Sequence, residues 1–533
     1  MAFIPAKVTA ASRETTIIAV RYRIGLLRRS VLATMLILGV SACGGSENDA
    51  TSVSRVAEAG AVADTEGLID PDISTVVKDP VRPSDGEVDW PAARFATAGL
   101  IQAEVQRQGD AQAGRKALLE EAYVSCGLPE RVFRQLLDGS QPIEISDRDE
   151  AAAGLPYNVN VFTDAQGSRV VSNNCLTCHA TPLFGELLVG LGNEFLDFTG
   201  DASALAERAG LLVNGPAETA AWELYADRIA AIAPYIRPHT TGVNPANNLT
   251  FALIAHRRAE DNAWSEEPLL PLPPVDPPPV SVPPWWRMQK KPAMFNLGEG
   301  RGDHARLMMS ASMLCTDSLD ELNEIDAYAA DLRAFISSLE PPAWPFEINA
   351  ALAGEGQQLF EQTCTRCHGS YGEEPVYPAR LVPLKTIGTD PTLVEFAHGK
   401  GAVYIDWFNR SFYGDLSVAA PGPGYVAPPL DGIWASAPFL HNGSVPSLRA
   451  VLDSKSRPSV WRHTVKDASD PDSYDSVNMG WSHEIPSEDK ATADEPQRIY
   501  DTRLPGYANS GHTFGDHFSD SQRLAVLEYL KTL

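Results

Sequence analysis

The feature that most constrains this chain is a short pattern, Cys-x-x-Cys-His, which occurs twice. The two copies are Cys175-Leu-Thr-Cys178-His179 and Cys364-Thr-Arg-Cys367-His368. In this pattern two thiols add covalently to the edge of a c-type haem, and the adjacent histidine ligates the iron from the proximal side. With seven cysteines and eleven histidines in 533 residues, one chance copy is expected roughly two times in a thousand, so two copies are not accidental. We therefore predict two covalently bound haem c groups, with a pair of metal or redox Cys-x-x-Cys motifs as the alternative.

The first 42 residues have the pattern of a secretory signal peptide. An apolar run at residues 31–40 is too short to span a membrane stably, and it follows the basic residues Arg21, Arg23, Arg28 and Arg29. The run leads into Ser41-Ala42-Cys43, which is similar to a bacterial lipobox, in which the cysteine is acylated. Ordinary secretory cleavage near Ala42 is the alternative. We therefore expect export from a Gram-negative-type bacterium to the periplasm or cell surface, with a lipid on Cys43 as the anchor to the outer membrane.

The chain is strongly acidic, which narrows its partners. Its formal net charge is −26, and removal of residues 1–42 leaves about −31. Such a surface repels nucleic acid and anionic lipid, so we expect no nucleic acid partner and membrane contact through the lipid anchor only. An acidic surface suits the binding of a small basic electron-carrier protein. Because no glycine-rich phosphate motif stands between a strand and a helix, nucleotide cofactors are not expected.

Changes in composition divide the chain into segments. After the signal peptide, residues 43–90 are acidic and punctuated by proline, which predicts a disordered tether. We assign residues 91–285 to an N-terminal haem domain, residues 286–346 to an interdomain, haem-covering segment, and residues 347–533 to a C-terminal cytochrome c-like haem domain. Apolar residues at helical spacing predict helices over 93–107, 111–123, 128–137, 202–236, 249–258, 318–339, 353–364 and 519–533. Residues 269–284 are rich in proline and predict a stiff polyproline spacer.

Two cysteines remain after the haem and lipid assignments. Cys43 is assigned to lipid, and the four motif cysteines are assigned to haem. Cys126 and Cys315 are then candidates for a disulfide in an oxidising compartment. Two buried free thiols are the alternative.

One segment carries a specific family resemblance. Residues 427–448 include Ala437-Pro438-Phe439-Leu440-His441-Asn442-Gly443-Ser444-Val-Pro446-Ser-Leu448, which resembles the signature of the bacterial di-haem cytochrome c peroxidase superfamily. Within that superfamily the chain most resembles the di-haem rubber oxygenases, on the stretches 122–129, 285–286, 298–305 and 511–515. The resemblance covers roughly residues 90–533. It implies a mainly α fold, with two cytochrome c-like haem domains, long loops and few short strands.

The resemblance also implies that the two haems differ. At the first haem His179 is proximal, and the distal side lies near Phe295 with Trp286 close by. Phenylalanine cannot ligate iron, so an apolar distal pocket favours dioxygen and an apolar alkene or polymer as substrate. Ordinary core packing is the alternative for Phe295.

At the second haem His368 is proximal and a sixth ligand is expected. The candidates are His512, Met479, His441, His463, His483 and His517. We favour His512, with Met479 as the runner-up. His441 is expected to lie between the haems as a proton donor or hydrogen-bond partner, and Trp434 is a candidate for the inter-haem path, with core packing as its alternative.

Three functions follow from these expectations. The first is a haem-dependent oxygenase, in which the first haem activates dioxygen and the second transfers electrons. The second is a di-haem peroxidase that reduces hydrogen peroxide with an acid/base group over the peroxide. The third is an electron-transfer cytochrome, which would need a sixth ligand at the first haem from among His239, His256, Met288 and Met294.

Overall fold

The computed structural model describes residues 99–486 and 495–533. The predicted signal peptide, the lipid-bearing Cys43, the tether and residues 91–98 lie outside these ranges. Within them, none of the helices combines the length and the apolar character that crossing a membrane requires.

The described ranges contain fifteen α-helices, seven of which begin after a residue whose side chain caps the first turn. They are α1 Ala111–Glu120, α2 Glu130–Leu137, α3 Leu176–His179, α4 Ala202–Gly210, α5 Pro216–Ile232, α6 Ala246–Ala255, α7 His304–Met308, α8 Leu319–Ser337, α9 Ala350–Thr363, α10 Thr365–His368, α11 Leu384–Ile387, α12 Thr392–His398, α13 Ala402–Arg410, α14 Leu448–Leu452 and α15 Asp520–Leu530. The side chains of Asp110 and Ser318 accept hydrogen bonds from the first turns of α1 and α8. Ser519 and Gln522 form a capping box at the start of α15.

The described ranges also contain fifteen strands in six small sheets. The strands are β1 Gly99–Leu100, β2 Leu128–Pro129, β3 Val159–Thr163, β4 Arg169–Asn173, β5 Ala180–Leu183, β6 Glu186–Val189, β7 Gly300–Gly302, β8 Arg380–Pro383, β9 Ser417–Ala419, β10 Gly424–Val426, β11 Val460–His463, β12 Tyr474–Asp475, β13 Gly480–Trp481, β14 His483–Glu484 and β15 Ile499–Asp501. All of their pairings are antiparallel, and the longest is β3 with β4, in which Val161 faces Val171.

The expectation of a mainly α fold with few short strands is therefore wrong, because the fold is mixed α/β. The physical reason is that the long loops must satisfy their own backbone hydrogen bonds, and they do so by pairing with one another. Thus β8 lies between β1 and β10, and β11 lies between β14 and β15.

The expected layout of two separate cytochrome c-like domains is also not seen. Strand β1 pairs with β8 and strand β7 pairs with β9, so segments from before and after the second motif share sheets. One buried core joins Leu176 and Trp285 to Tyr404 and Trp407. A second core joins Leu183 and Trp286 to residues between 430 and 530.

The helix predicted over residues 93–107 is wrong as well. In the described part of this stretch, residues 99–100 form strand β1, and the backbone N–H of Ile101 donates to the carbonyl of Ala379. Arg107 is held by the carboxylates of Asp303 and Asp326 at 3.0 and 2.8 Å. Long-range contacts thus override the helical spacing of the apolar residues.

Candidate functional site

The first motif is presented by the end of a strand and one short helix. Strand β4 runs into Asn174, whose side chain accepts a hydrogen bond from the N–H of Leu176 at 2.9 Å and so starts α3. Cys175 and Cys178 then lie one turn apart, and the amide of Asn244 lies 3.5 Å from the sulfur of Cys178. Burial raises the pKa of the two thiols to about 12 and about 11. They are therefore neutral thiols beside a neutral imidazole, because burial also lowers the pKa of His179 to about 4.

This motif opens onto a cavity of about 500 Å³. The volume lies in the range of about 300–1,000 Å³ that is usual for cofactor and ligand sites. Both thiols and His179 are in its wall, and most of the remaining lining is apolar, including Phe251, Ile254, Met308 and Phe408. Two thiols and an imidazole facing one apolar cavity fit a covalently held haem whose iron is ligated by His179.

Phe295 also lines this cavity. Its side chain is 42 % exposed and its φ is +67°, an unusual conformation for a bulky residue. Phe295 lies in a loop that is closed by paired hydrogen bonds between Met294 and Gly300. A residue outside the loop also fixes its position: the N–H of Val426 donates to the carbonyl of Asn296 at 2.9 Å.

Trp286 lies behind the cavity wall and not in it. The side chain of Trp286 is 1 % exposed, and its indole N–H donates to the carbonyl of Asp431 at 2.8 Å. The preceding Trp285 does line the cavity, and its ring stacks on His179 with 4.7 Å between ring centres. Trp286 was expected close to the first haem. In the structure Trp285, and not Trp286, lines the cavity and contacts His179.

The second motif follows helix α9 and forms α10. The Nδ1 atom of His368 lies 2.8 Å from the carbonyl oxygen of Pro428, which orients the ring and leaves Nε2 for a metal. The ring of His512 faces it with 6.2 Å between ring centres. Two iron–nitrogen bonds of about 2.0 Å, together with about 1.1 Å from each nitrogen to its ring centre, require roughly 6.2–6.4 Å. The pair thus fits a haem iron held from both sides.

His512 reaches this position through a tight contact between two glycines. A Cβ at Gly511 would lie 2.2 Å from the carbonyl carbon of Gly388, so only glycine allows this approach. The N–H of His512 then donates to the carbonyl of Ile387 at 2.8 Å. Burial, followed by the nearby His368, lowers the pKa of His512 to about 3, and its buried Nδ1 has no hydrogen-bond partner in the described part of the chain. The imidazole is therefore neutral, as a ligand must be.

The other candidate ligands of the second haem make contacts elsewhere. Met479 is fully buried in the second core, where its carbonyl accepts from the N–H of Leu448. His463 packs on Trp461 at 4.3 Å, the Nδ1 atom of His483 lies 3.1 Å from the carbonyl of Trp481, and His517 packs on Phe518 at 4.3 Å.

His441 contacts the wall of the first cavity and is not charged, and its position between the two haems stays a prediction. Its ring stacks on Tyr425 at 4.0 Å, and its carbonyl accepts from the N–H of Ser281, a residue of the first cavity wall. Burial lowers the pKa of His441 to about 3. At neutral pH the ring is therefore a hydrogen-bonding group and not a source of protons.

The two motif histidines are connected by a short series of contacts. Trp285 stacks on His179, and the adjacent Trp286 donates to the carbonyl of Asp431. Three residues before Asp431, the carbonyl of Pro428 lies against the ring of His368. Trp434 instead packs in an aromatic cluster, 5.4 Å from Trp344 and 6.1 Å from Phe184.

Among the alternative ligands of the first haem, Met288 and Met294 line the cavity. His239 lies 3.6 Å from the carboxylate of Asp276, and His256 stacks on Trp264 with its Nδ1 near the carbonyl of Ser265. Cys126 and Cys315 are joined in a disulfide.

Three ionisable residues of the first cavity were predicted only as part of the haem-covering segment 286–346, with no role of their own. Lys291, Glu299 and His304 all line the cavity. His304 is 2 % exposed, and the Pro292 carbonyl near it is outside hydrogen-bonding geometry, so neither ring nitrogen has a partner among the described residues. Glu299 and His304 lie in the Gly-rich stretch 298–305, which supported the family resemblance but suggested no role for them. Lys291 belongs to a basic run in which nothing marks it as buried.

Comparison with known proteins supports the cytochrome assignment. A family model described as "RoxA-like, cytochrome c-like" matches residues 424–462. This range contains β10, His441 and α14, and neither of the two haem motifs. The match supports a cytochrome c of the RoxA type, and a cytochrome c-like domain implies covalently bound haem c. The placement in the di-haem peroxidase superfamily is not confirmed by it.

Two curated relatives are similar over part of the chain. The "Uncharacterized protein y4iM" of Sinorhizobium fredii (strain NBRC 101917 / NGR234) is 30% identical over 240 residues, which are 37% of this chain and 52% of that protein. The "Uncharacterized protein y4iJ" of the same organism is 26% identical over 318 residues, which are 46% of this chain and 51% of that protein. The chain spans about half the length of the curated relatives it matches.

Proposed function

We propose that this chain is an exported di-haem c-type cytochrome oxidoreductase that activates dioxygen at the first haem and cleaves a carbon–carbon double bond of an apolar alkene or polymer. The observation that carries the proposal is the asymmetry between the two motifs. The ring of His512 lies 6.2 Å from that of His368, whereas the ring of His179 stacks on Trp285 and no histidine ring of the described residues faces it. A haem held by His179 alone would supply iron chemistry with dioxygen, and a haem held by both His368 and His512 would supply electron transfer.

The cavity wall determines what can react there. Its apolar lining would exclude water from the space around the haem and favour contact with hydrocarbon, and Phe295 is part of this lining. Phe251, Phe396 and Phe408 extend this surface. These residues would position an alkene by contact area, without hydrogen bonds.

The second haem is proposed to exchange electrons with the first and with a small electron carrier. The contacts through Trp285, Trp286 and residues 428–431 provide a continuous route between the two proximal histidines. The acidic net charge of −26 suits a basic carrier.

Export is part of the proposal. The disulfide between Cys126 and Cys315 is typical of an oxidising compartment. Periplasmic or cell-surface location with a lipid on Cys43 remains a proposal from the sequence.

A hydrogen peroxide-reducing function is the second candidate, and one observation favours it. Glu299 is the one carboxyl group in the cavity wall within the described residues, and peroxide reduction needs an acid/base group there. Burial raises the pKa of Glu299 to about 7, which is close to the value that such a group requires.

Replacing Phe295 by histidine separates these functions. An imidazole in the cavity wall would add a polar group and a potential iron ligand, so oxygen uptake with an apolar alkene should fall at least about tenfold, the effect of roughly 1.4 kcal/mol on a barrier. Oxygen uptake and peroxide-dependent oxidation of a reduced small cytochrome are measured on the same preparations.

Leu416→His is the matched control, because Leu416 is 45 % exposed and lies outside the cavity wall. Unchanged alkene turnover in Phe295→His would refute the assignment of Phe295. Peroxide turnover in the wild-type protein without alkene turnover would favour the second candidate.

A further inference from the structure

Two cations near the haem sites, the buried Arg287 and the half-buried Lys291, form no ion pair with a described residue. Arg287 and Lys291 follow Trp286, and no carboxylate oxygen of the described residues lies within 4.0 Å of either cation. Lys290, which lies between them in sequence, pairs with the carboxylate of Asp431 at 2.6 Å. Arg287 and Lys291 therefore differ from Lys290 in lacking a carboxylate partner.

Arg287 lies beside the second haem site. It is 5 % exposed, and its Nε and one Nη donate to the carbonyl of Asp431 and the hydroxyl of Ser436 at 3.0 and 3.2 Å. The other Nη makes no hydrogen bond to any described residue. Its positive charge acts on His368, and also on Tyr371 and Tyr377, whose hydroxyls donate to other carbonyls.

Lys291 lies in the wall of the first cavity. Burial, and then the charge of Arg287, lower the pKa of Lys291 to about 8. The nearest acidic influence is Glu299, but one of its oxygens already accepts from the N–H of Leu297 at 3.0 Å, and its pKa is raised to about 7. His304 and Arg333, whose charges act on one another here, add no negative charge.

Arg287 and Lys291 have lost much of their hydration. Such cations are stable in a folded protein where an anion compensates them, because the loss of hydration is not repaid otherwise. Each haem carries two propionate carboxylates, and guanidinium and ammonium groups bind carboxylates through charge-assisted hydrogen bonds.

We infer that Arg287 and Lys291 bind haem propionate carboxylates, Arg287 at the second haem and Lys291 at the first. This inference rests on the proposed di-haem assembly but not on the reaction that the first haem performs. Because Arg287 and Lys291 are only four residues apart and directly follow the Trp285–Trp286 route, they form a positively charged bridge between the haems. A cation beside a haem disfavours its oxidised form, so the bridge raises both reduction potentials.

The test is spectroelectrochemical titration of the haem-loaded protein, in which the two haems are followed by their separate optical bands. Arg287→Gln should lower the potential of the six-coordinate haem more than that of the other. Lys291→Gln should show the opposite preference, and its propionate bending band in the resonance Raman spectrum should shift. Arg287→Lys and Lys291→Arg keep the charge and should restore most of each potential.

Lys290→Gln is the matched control, since it removes the same charge from a residue already paired with Asp431. Equal shifts from Lys290→Gln and Lys291→Gln would show a general charge effect and overturn the inference. Unchanged reduction potentials in Arg287→Gln and Lys291→Gln would also overturn it. If the reduction potentials of the wild-type protein depend on added acetate, Arg287 and Lys291 bind a free carboxylate and not the haem propionates, which would also overturn the inference. Loss of alkene turnover with these shifts intact would contradict the proposed function alone.

Discussion

At the scale of single residues, Glu299 is one of two groups in the wall of the first cavity, with Lys291, whose pKa lies near neutrality. Burial raises its pKa from 4.5 to about 7, although the N–H of Leu297 and the charges of Lys291 and Arg301 act in the opposite direction. The carboxyl group is thus neutral in mild acid and becomes charged at a position that hydrates it poorly.

This shift predicts a pH-dependent stability difference. Since the folded-state pKa lies above the unfolded-state value, the folded protein binds this proton more tightly, and stability falls as the pH rises from about 4.5 to about 7. Glu299→Gln removes this dependence, so its stability relative to wild type should rise by up to about 3 kcal/mol between about pH 4 and about pH 8. Urea unfolding of the haem-loaded protein measures it. Glu266→Gln, at an exposed position, should run parallel to wild type, and a parallel curve for Glu299→Gln would contradict the prediction.

Residue identities could be read from the sequence where the chemistry is local. Within each motif the two thiols and the histidine lie within five consecutive positions, so their joint role is visible without a structure. His512 required an argument from position before the last helix, and its place opposite His368 depends on the contact of Gly511 with Gly388. Glu299 gave no signal, because a glutamate among glycines also suits a solvated turn.

At the scale of secondary structure, helices α9 and α15 pack together and position the second motif. Gly356 of α9 lies against the backbone of α15, where a Cβ would meet the carbonyl oxygen of Ala525 at 1.8 Å. Phe360 packs on Tyr529 with 5.2 Å between ring centres. Cys364 follows directly as the C-cap of α9.

Replacement of Gly356 should therefore force the two helices apart. We expect Gly356→Ala to destabilise the protein by about 1–3 kcal/mol or more, because the added methyl has no space. Gly354→Ala lies on the same helix with nothing within 4 Å of its added Cβ, so it should be neutral or stabilise by up to about 1 kcal/mol. Guanidinium unfolding compares the two variants, and equal stabilities would contradict this packing.

Helices were more predictable than strands for a physical reason. Helices α1 and α8 have a periodic apolar face and a capping residue next to it in sequence, and α15 begins with a capping box. The strands are two to five residues long, and their partners lie far away in the chain, as in the pairing of β1 with β8. Nothing local in Gly99 or Leu100 indicates a partner at Leu381 or Arg380.

At the scale of the whole molecule, the disulfide between Cys126 and Cys315 ties together segments that are 189 residues apart. The double variant Cys126→Ser and Cys315→Ser should lose about 2–5 kcal/mol of stability, because the unfolded chain regains the freedom of this long loop. Guanidinium unfolding measures the loss. Wild-type protein treated with a thiol reductant should match the variant, since thioether bonds to haem resist it, and a variant as stable as wild type would contradict the prediction.

The overall arrangement was the least predictable part of the molecule. Each haem motif suggests a separate cytochrome unit, yet Tyr404 and Trp407, which follow the second motif, are buried in the core around the first. Leu183 and Trp286, which come before the second motif, are buried in the core around it. Segments on each side of the second motif thus contribute to the core around the other motif. This arrangement arises from packing between distant segments, which no local sequence pattern encodes. The segment boundaries at 285 and 346 remain predictions.

The central claim is that the two iron sites differ, with one open and one closed by His512. Carbon monoxide binding to the reduced, haem-loaded protein tests it most directly, because carbon monoxide needs a free or weakly held axial position. We predict one equivalent bound per wild-type chain and two per chain of His512→Ala, with a low-spin signal in the wild-type electron spin resonance spectrum that the variant loses. Two low-spin centres that bind no carbon monoxide in the wild-type protein would contradict the account.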